Sequence, residues 1–127
     1  MTKITKEAVG LLLERYTINS NAGKAKPVAN CYTRGATIMS SGKLWANGYK
    51  YILARLVEEY YKPGRQPPKP LTQHIEVDDE GTFAFADETL QEPGGRIAHV
   101  RMCLVMEDGK LKIASEWILF RTHPPIK

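Results

Sequence analysis

The chain of 127 residues predicts an α+β fold, helices first and a meander of strands after them. Three features carry that prediction. Apolar residues recur at helical spacing through the first sixty positions. A proline-rich segment, Lys62-Pro63-Gly64-Arg65-Gln66-Pro67-Pro68-Lys69-Pro70, then forbids any continuing helix, because proline removes amide donors and fixes φ. Beyond it, four segments of strand composition are joined by turns short enough to force antiparallel neighbours. The length suits one domain, 1–127, with its helices covering one face of the sheet.

Thr5 is placed to cap a first helix whose apolar side is Val9, Leu12, Leu13 and Tyr16, and Asn19-Ser20-Asn21-Ala22-Gly23 is a stop signal. Pro27 suits the first turn of a second, short helix carrying Val28, Cys31 and Tyr32, which Arg34-Gly35 breaks. Ala36 to Met39 is predicted as a short strand, followed by a loop at Ser40-Ser41-Gly42-Lys43. A third helix, about Asn47 to Tyr61, has Ile52, Leu53, Leu56, Val57 and Tyr60 as its apolar stripe. The strands are Leu71–Val77, Thr82–Leu90, Arg96–Met106 and Leu111–Thr122, with turns at Asp78-Asp79-Glu80-Gly81, Glu92-Pro93-Gly94-Gly95 and Asp108-Gly109.

Composition narrows the function. No apolar run approaches the ~18 residues of a membrane span, and MTKITKEAVG lacks the apolar core of a signal peptide, so a cytoplasmic protein with no membrane partner is expected. Cys31 and Cys103 are too few for a disulfide framework and read as reduced core thiols. Residues 1–65 hold eleven Lys+Arg and four acids, but the bases are scattered singly, which argues against a nucleic-acid face. No nucleophile motif, phosphate loop or metal-ligand pair appears, so neither cofactor nor metal is expected.

Particular segments carry a resemblance: Leu12-Leu13-Glu14-Arg15-Tyr16 with Asn21-Ala22-Gly23-Lys24, then Tyr32-Thr33-Arg34-Gly35-Ala36-Thr37-Ile38, and Asp108-Gly109-Lys110-Leu111-Lys112-Ile113-Ala114-Ser115-Glu116-Trp117. Together they resemble the NTF2-like superfamily over nearly the whole chain, in particular its SnoaL-like and ketosteroid-isomerase-like small proteins. The resemblance implies a cone-shaped, cystatin-like fold of three N-terminal helices on a curved antiparallel sheet, enclosing a ligand cavity, often in a homodimer. It implies fold more than activity, since one scaffold hosts many reactions. Tyr16 falls where ketosteroid isomerases keep an oxyanion-binding tyrosine. Their general base falls on about Ser40, and their protonated Asp falls near Arg101 or Met102. Neither position is a carboxylic acid, so the scaffold is expected without that reaction.

Alternation along strands yields a list of pocket residues. The family pattern turns Phe83, Phe85 and Asp87 inward. If Asp108-Gly109 is a two-residue type I′ turn, Glu107 faces Lys110, and His99, Arg101 and Cys103 join Glu116, Ile118 and Phe120 inside. A three-residue turn with a bulge would instead turn Ala98, Val100, Met102 and Leu104 inward. The first register gathers Asp87, His99, Arg101 and Glu116 as an acid–base group, with Tyr16, Tyr32, Trp45, Tyr49, Phe83, Phe85, Ile118 and Phe120 as ligand contacts. A hydrophobic oxygenated small molecule is the expected partner, and an isomerase, cyclase or lyase the expected enzyme class. The competing reading is a noncatalytic dimeric interaction domain whose active surface is the outer sheet face, anchored by Trp117.

Overall fold

The computed structural model describes residues 3–121. Helix α1 spans Lys6–Asn21, and the Thr5 hydroxyl caps it by accepting the Ala8 amide at 3.1 Å. Its inner side, Val9, Leu12 and Leu13, is buried, with Tyr16 one turn further on. Helix α2 is a single turn, Ala25–Ala29. It ends earlier than expected because Cys31 and Tyr32 leave the helix, and Tyr32 opens strand β1, Tyr32–Ser40. A Ser41-Gly42 turn with both φ values positive leads into β2, Lys43–Asn47, where only loop was expected. Helix α3, Tyr49–Arg55, continues as a π-helical turn, Leu56–Tyr60. That wider turn rotates the expected apolar stripe: Leu56 is buried, whereas Val57 points to solvent at 57% exposure.

Four long strands follow: β3 Lys69–Val77, β4 Phe83–Gln91, β5 Ile97–Glu107 and β6 Lys110–Arg121. The expected end of the last strand at Thr122 lies outside the described residues. The six strands form one sheet in the order β2-β1-β6-β5-β4-β3. All neighbours are antiparallel except β1 and β6, which run parallel, so the expected antiparallel sheet is mixed at that one seam. The chain between β1 and β6, which runs through β2, α3 and its π-helical turn, and β3 to β5, supplies the long connection that a parallel pair requires. The core lies between the helices and one sheet face, where Leu13, Val28 and Ile52 pack with Ala84, Ala86, Met102, Leu104 and Ile113. The other face leaves Trp117, Leu119 and Phe83 at 44%, 60% and 40% exposure.

Before α1, the chain is pinned to the β3–β4 turn by the Ile4 amide, which donates to the Gly81 carbonyl at 2.9 Å. Asp78 organises this turn by accepting from the amides of Thr82 and Phe83. Gly81 has φ +70°, and a Cβ built there would lie 2.8 Å from the Lys3 Cβ and 3.2 Å from the Ile4 backbone. Gly81→Ala is therefore expected to cost about 2 kcal/mol or more, from left-handed backbone strain plus a clash with main chain. Urea unfolding of the two proteins checks this; equal midpoints would contradict it.

Candidate functional site

The space between α1, the π-helical turn and the inner sheet face is a cavity of about 450 Å³. Its wall is mainly apolar, with Leu13, Ile38, Val100, Met102, Ile118 and Phe120 contributing. Such a volume accepts a small organic molecule. Its polar centre is a chain of three side chains from three elements. Tyr32, at the start of β1, donates its hydroxyl to Glu116 Oε1 on β6. Tyr16, on α1, lies with its hydroxyl 3.1 Å from that of Tyr32. Because Tyr32 has one O–H and gives it to the carboxylate, Tyr16 is the donor in that second bond.

Burial tunes all three groups. Glu116 is 5% exposed, and its pKa is pushed up to about 7, chiefly by desolvation and further by the carboxylate of Glu88, against the lowering effect of the Tyr32 hydrogen bond. The two phenols are raised well above their ordinary value, first by burial and then by the charge of Glu116. Near neutral pH both forms of Glu116 are populated while the tyrosines stay protonated. That is the pattern of an acid–base carboxyl flanked by neutral hydroxyls.

The expected residues are divided by the geometry. Tyr16, Tyr32, Trp45, Glu116, Ile118 and Phe120 all line the cavity. Trp45 is held there by Arg55, whose Nε donates to its carbonyl at 2.9 Å and whose guanidinium lies 5.6 Å from its ring. Tyr49 instead borders a separate cleft with Arg34 and Asp108. The expected convergence of Asp87, His99 and Arg101 on Glu116 is corrected: these three, with Trp117, border an open cleft on the opposite sheet face. Phe83 and Phe85 leave the cavity too. They stack edge to face at 5.7 Å, with Arg101 4.5 Å over Phe85.

The physical reason is one extra residue. The Asp108-Gly109 turn has both φ values positive and Glu107 opposite Lys110, as a type I′ turn requires. Leu104 then pairs with Ile113 but Cys103 pairs with Ser115, which leaves Ala114 as a bulge. Beyond it Glu116 faces Met102 rather than Arg101, so the even-numbered residues of both strands point inward. The same parity passes to β4, where Ala84, Ala86, Glu88 and Leu90 face in. Glu88 was missed for that reason. The small residues Ala84 and Ala86 followed by Leu90 are the signal for this face in the sequence, against the family pattern that turns Phe83, Phe85 and Asp87 inward.

Asp87 and Arg101 face each other across the outer surface at 3.5 Å, both about half-exposed. Such a pair contributes little. Arg101→Met is expected to change stability by less than about 1 kcal/mol and to leave the titration of Glu116 untouched. A shift of that titration in the variant would contradict this assignment of faces.

No family model matches the chain, and no curated protein matches it. Solved structures do. An NTF2-like protein of unknown function from Pseudomonas putida KT2440 superposes with a TM-score of 0.79 at 10% identity, covering 90% of this chain and 84% of that one. A protein from Novosphingobium aromaticivorans, provisionally assigned as a scytalone dehydratase, gives 0.73 at 13% identity over 95% and 88%. A Catenulispora acidiphila protein, solved in complex with S-DNPA, gives 0.69 at 21% identity over 90% and 91%. The chain has the NTF2-like, cystatin-like fold.

Proposed function

We propose that this chain is a small-molecule-binding protein of the SnoaL-like kind. In this reading its cavity holds an apolar, oxygen-bearing ligand and offers it cofactor-independent acid–base chemistry of the isomerase, cyclase or lyase type. The observation that carries the reading is the Tyr16–Tyr32–Glu116 chain set in an otherwise apolar cavity. A buried carboxyl costs stability unless it is hydrogen-bonded, and apolar packing would fill the same space more favourably. Glu116 would take or return a proton through the oxygen not engaged by Tyr32, and the tyrosines would orient the ligand's polar end. The same fold in a Novosphingobium protein provisionally assigned as a scytalone dehydratase, and in a Catenulispora protein solved with S-DNPA, is compatible with this reading.

A thermal-shift screen over aromatic and terpenoid ketones, lactones, alcohols and amino alcohols tests this. Stabilising compounds should lose at least half their shift in Tyr32→Phe and Glu116→Gln and keep it in Arg101→Met. Absence of any stabilising compound, or hits indifferent to both cavity substitutions, would overturn it.

The exposed Trp117, Leu119 and Phe83 favour a second element, a two-fold homodimer through the outer sheet face. Sedimentation at micromolar concentration is expected to give a dimer that Trp117→Ala weakens. A wild-type monomer would remove this element and leave the cavity reading intact.

A further inference from the structure

The cavity wall is electrically one-sided. Among the described residues it is lined by Glu14, which is exposed, and by Glu88, Glu92 and Glu116, and by no Lys, Arg or His. This runs against the chain as a whole, where eighteen bases outnumber fourteen acids. Two of the carboxyls face the interior from neighbouring parts of one sheet face. Glu88 pairs with Val100, Val100 with Ile118, and Glu116 lies two residues before Ile118 on the same side of β6. The two groups sense each other, since Glu88 helps to raise Glu116.

Hydrogen-bond supply points the same way. The Tyr32 proton is given to Glu116, the Tyr16 proton to Tyr32, and Gln73 Nε2 donates to Glu88 Oε2 at 2.8 Å. Among the described residues only the Tyr32 hydroxyl donates to Glu116, a cavity-lining residue just 5% exposed. Acceptors are thus in surplus among the side chains that line the space, since the one buried donor without a partner among the described residues, Arg65 Nη2, is not one of them, and an ammonium has donors only. Phe120 and Tyr60 already carry guanidiniums over their rings, Arg96 at 3.8 Å and Arg65 at 4.0 Å, and neither arginine lines the space, so the cavity-lining rings of Tyr16 and Tyr32 are the ones left to a cation.

We propose that the cavity is selective for organic cations: its ligand is an apolar skeleton ending in a protonated amine, whose ammonium lies between Glu88 and Glu116 with the skeleton against the aromatic wall. The proposal rests on the reading of the cavity as a small-molecule site and names the charge class of what enters it. A carboxylic acid ligand would add a negative charge to a wall that already holds several. A neutral alcohol would satisfy one acceptor and leave the repulsion between the two glutamates in place. The ammonium removes both defects at once, and in doing so holds Glu116 ionised.

Three probes of one skeleton separate the possibilities: 2-(1-naphthyl)ethylamine, 2-(1-naphthyl)ethanol and 1-naphthylacetic acid, titrated calorimetrically into the full chain near neutral pH. The amine is expected to bind about tenfold or more tightly than the alcohol, and the acid more weakly than either. Glu116→Gln and, independently, Glu88→Gln should each reduce the amine's advantage to about threefold or less, while exposed Glu59→Gln leaves it unchanged. Should Glu116→Gln fail to fold, Glu88→Gln carries the test alone. Alcohol or acid binding as tightly as the amine overturns the cation proposal and leaves the small-molecule reading standing. An advantage for the amine that survives both glutamine variants also overturns it. If none of the three binds and the wider screen is empty as well, the small-molecule reading falls and takes the proposal with it.

Discussion

Between pH 5 and pH 8, Glu116→Gln is expected to gain about 3 kcal/mol of stability relative to the wild-type chain. The sign follows from proton counting. In the unfolded chain this carboxyl titrates near its ordinary value of 4.5, and in the folded chain near 7. Between those values the folded state binds more protons than the unfolded state, so wild-type stability falls as pH rises. Above about 7 the full cost of a buried carboxylate is present. Glutamine has no such proton, so its stability curve lacks this slope. Tyr32→Phe should extend the decline to higher pH at the same slope, because the hydrogen bond it removes is what opposes burial and only one proton is involved. Urea titrations of wild type and both variants at several pH values measure it. Parallel curves for wild type and Glu116→Gln would show that this carboxyl is not held neutral by the fold.

Much of the architecture was legible because it depends on local chemistry. Thr5, the Val9–Leu12–Leu13 stripe and the proline segment fix α1 and the break before β3, and the Asp108-Gly109 turn fixes the last hairpin. The missed strand β2 is five residues long with only Ala46 buried, so it lacks a hydrophobic alternation to read. Within the site, Tyr16, Tyr32 and Glu116 are each legible as candidates, but the Tyr32–Glu116 bond joins residues 84 apart in sequence and depends on the parallel β1–β6 pairing. The face of β5 and β4 was not legible. Both registers considered for the final hairpin offered plausible inner faces, and the choice depended on a bulge at Ala114, a residue with no turn chemistry of its own.

The register on either side of that bulge supplies the second large expected effect. Because Leu104 pairs with Ile113 and Cys103 with Ser115, deleting Ala114 removes only the unpaired residue: Ser115 keeps Cys103, Glu116 keeps Met102, and both faces of β6 are preserved. Deleting Leu119, whose own side chain is 60% exposed, has no such escape. If the bulge stays, the pairs up to Val100–Ile118 hold, but Phe120 moves opposite His99 on the outer face and Arg121 moves opposite buried Ala98. If the bulge is consumed instead, Phe120 keeps Ala98, but Glu116 moves opposite Arg101 and Trp117 opposite Val100, so the Tyr32–Glu116 bond is lost and Trp117 turns inward. Either way, deletion of Leu119 is expected to lower stability by about 3 kcal/mol or more and Tm by more than about 8 °C, whereas deletion of Ala114 is expected to cost less than about half of that. Thermal unfolding followed by circular dichroism compares the two. An Ala114 deletion melting as low as the Leu119 deletion would mean that the bulge itself, and not the register it separates, is what places Glu116 in the cavity.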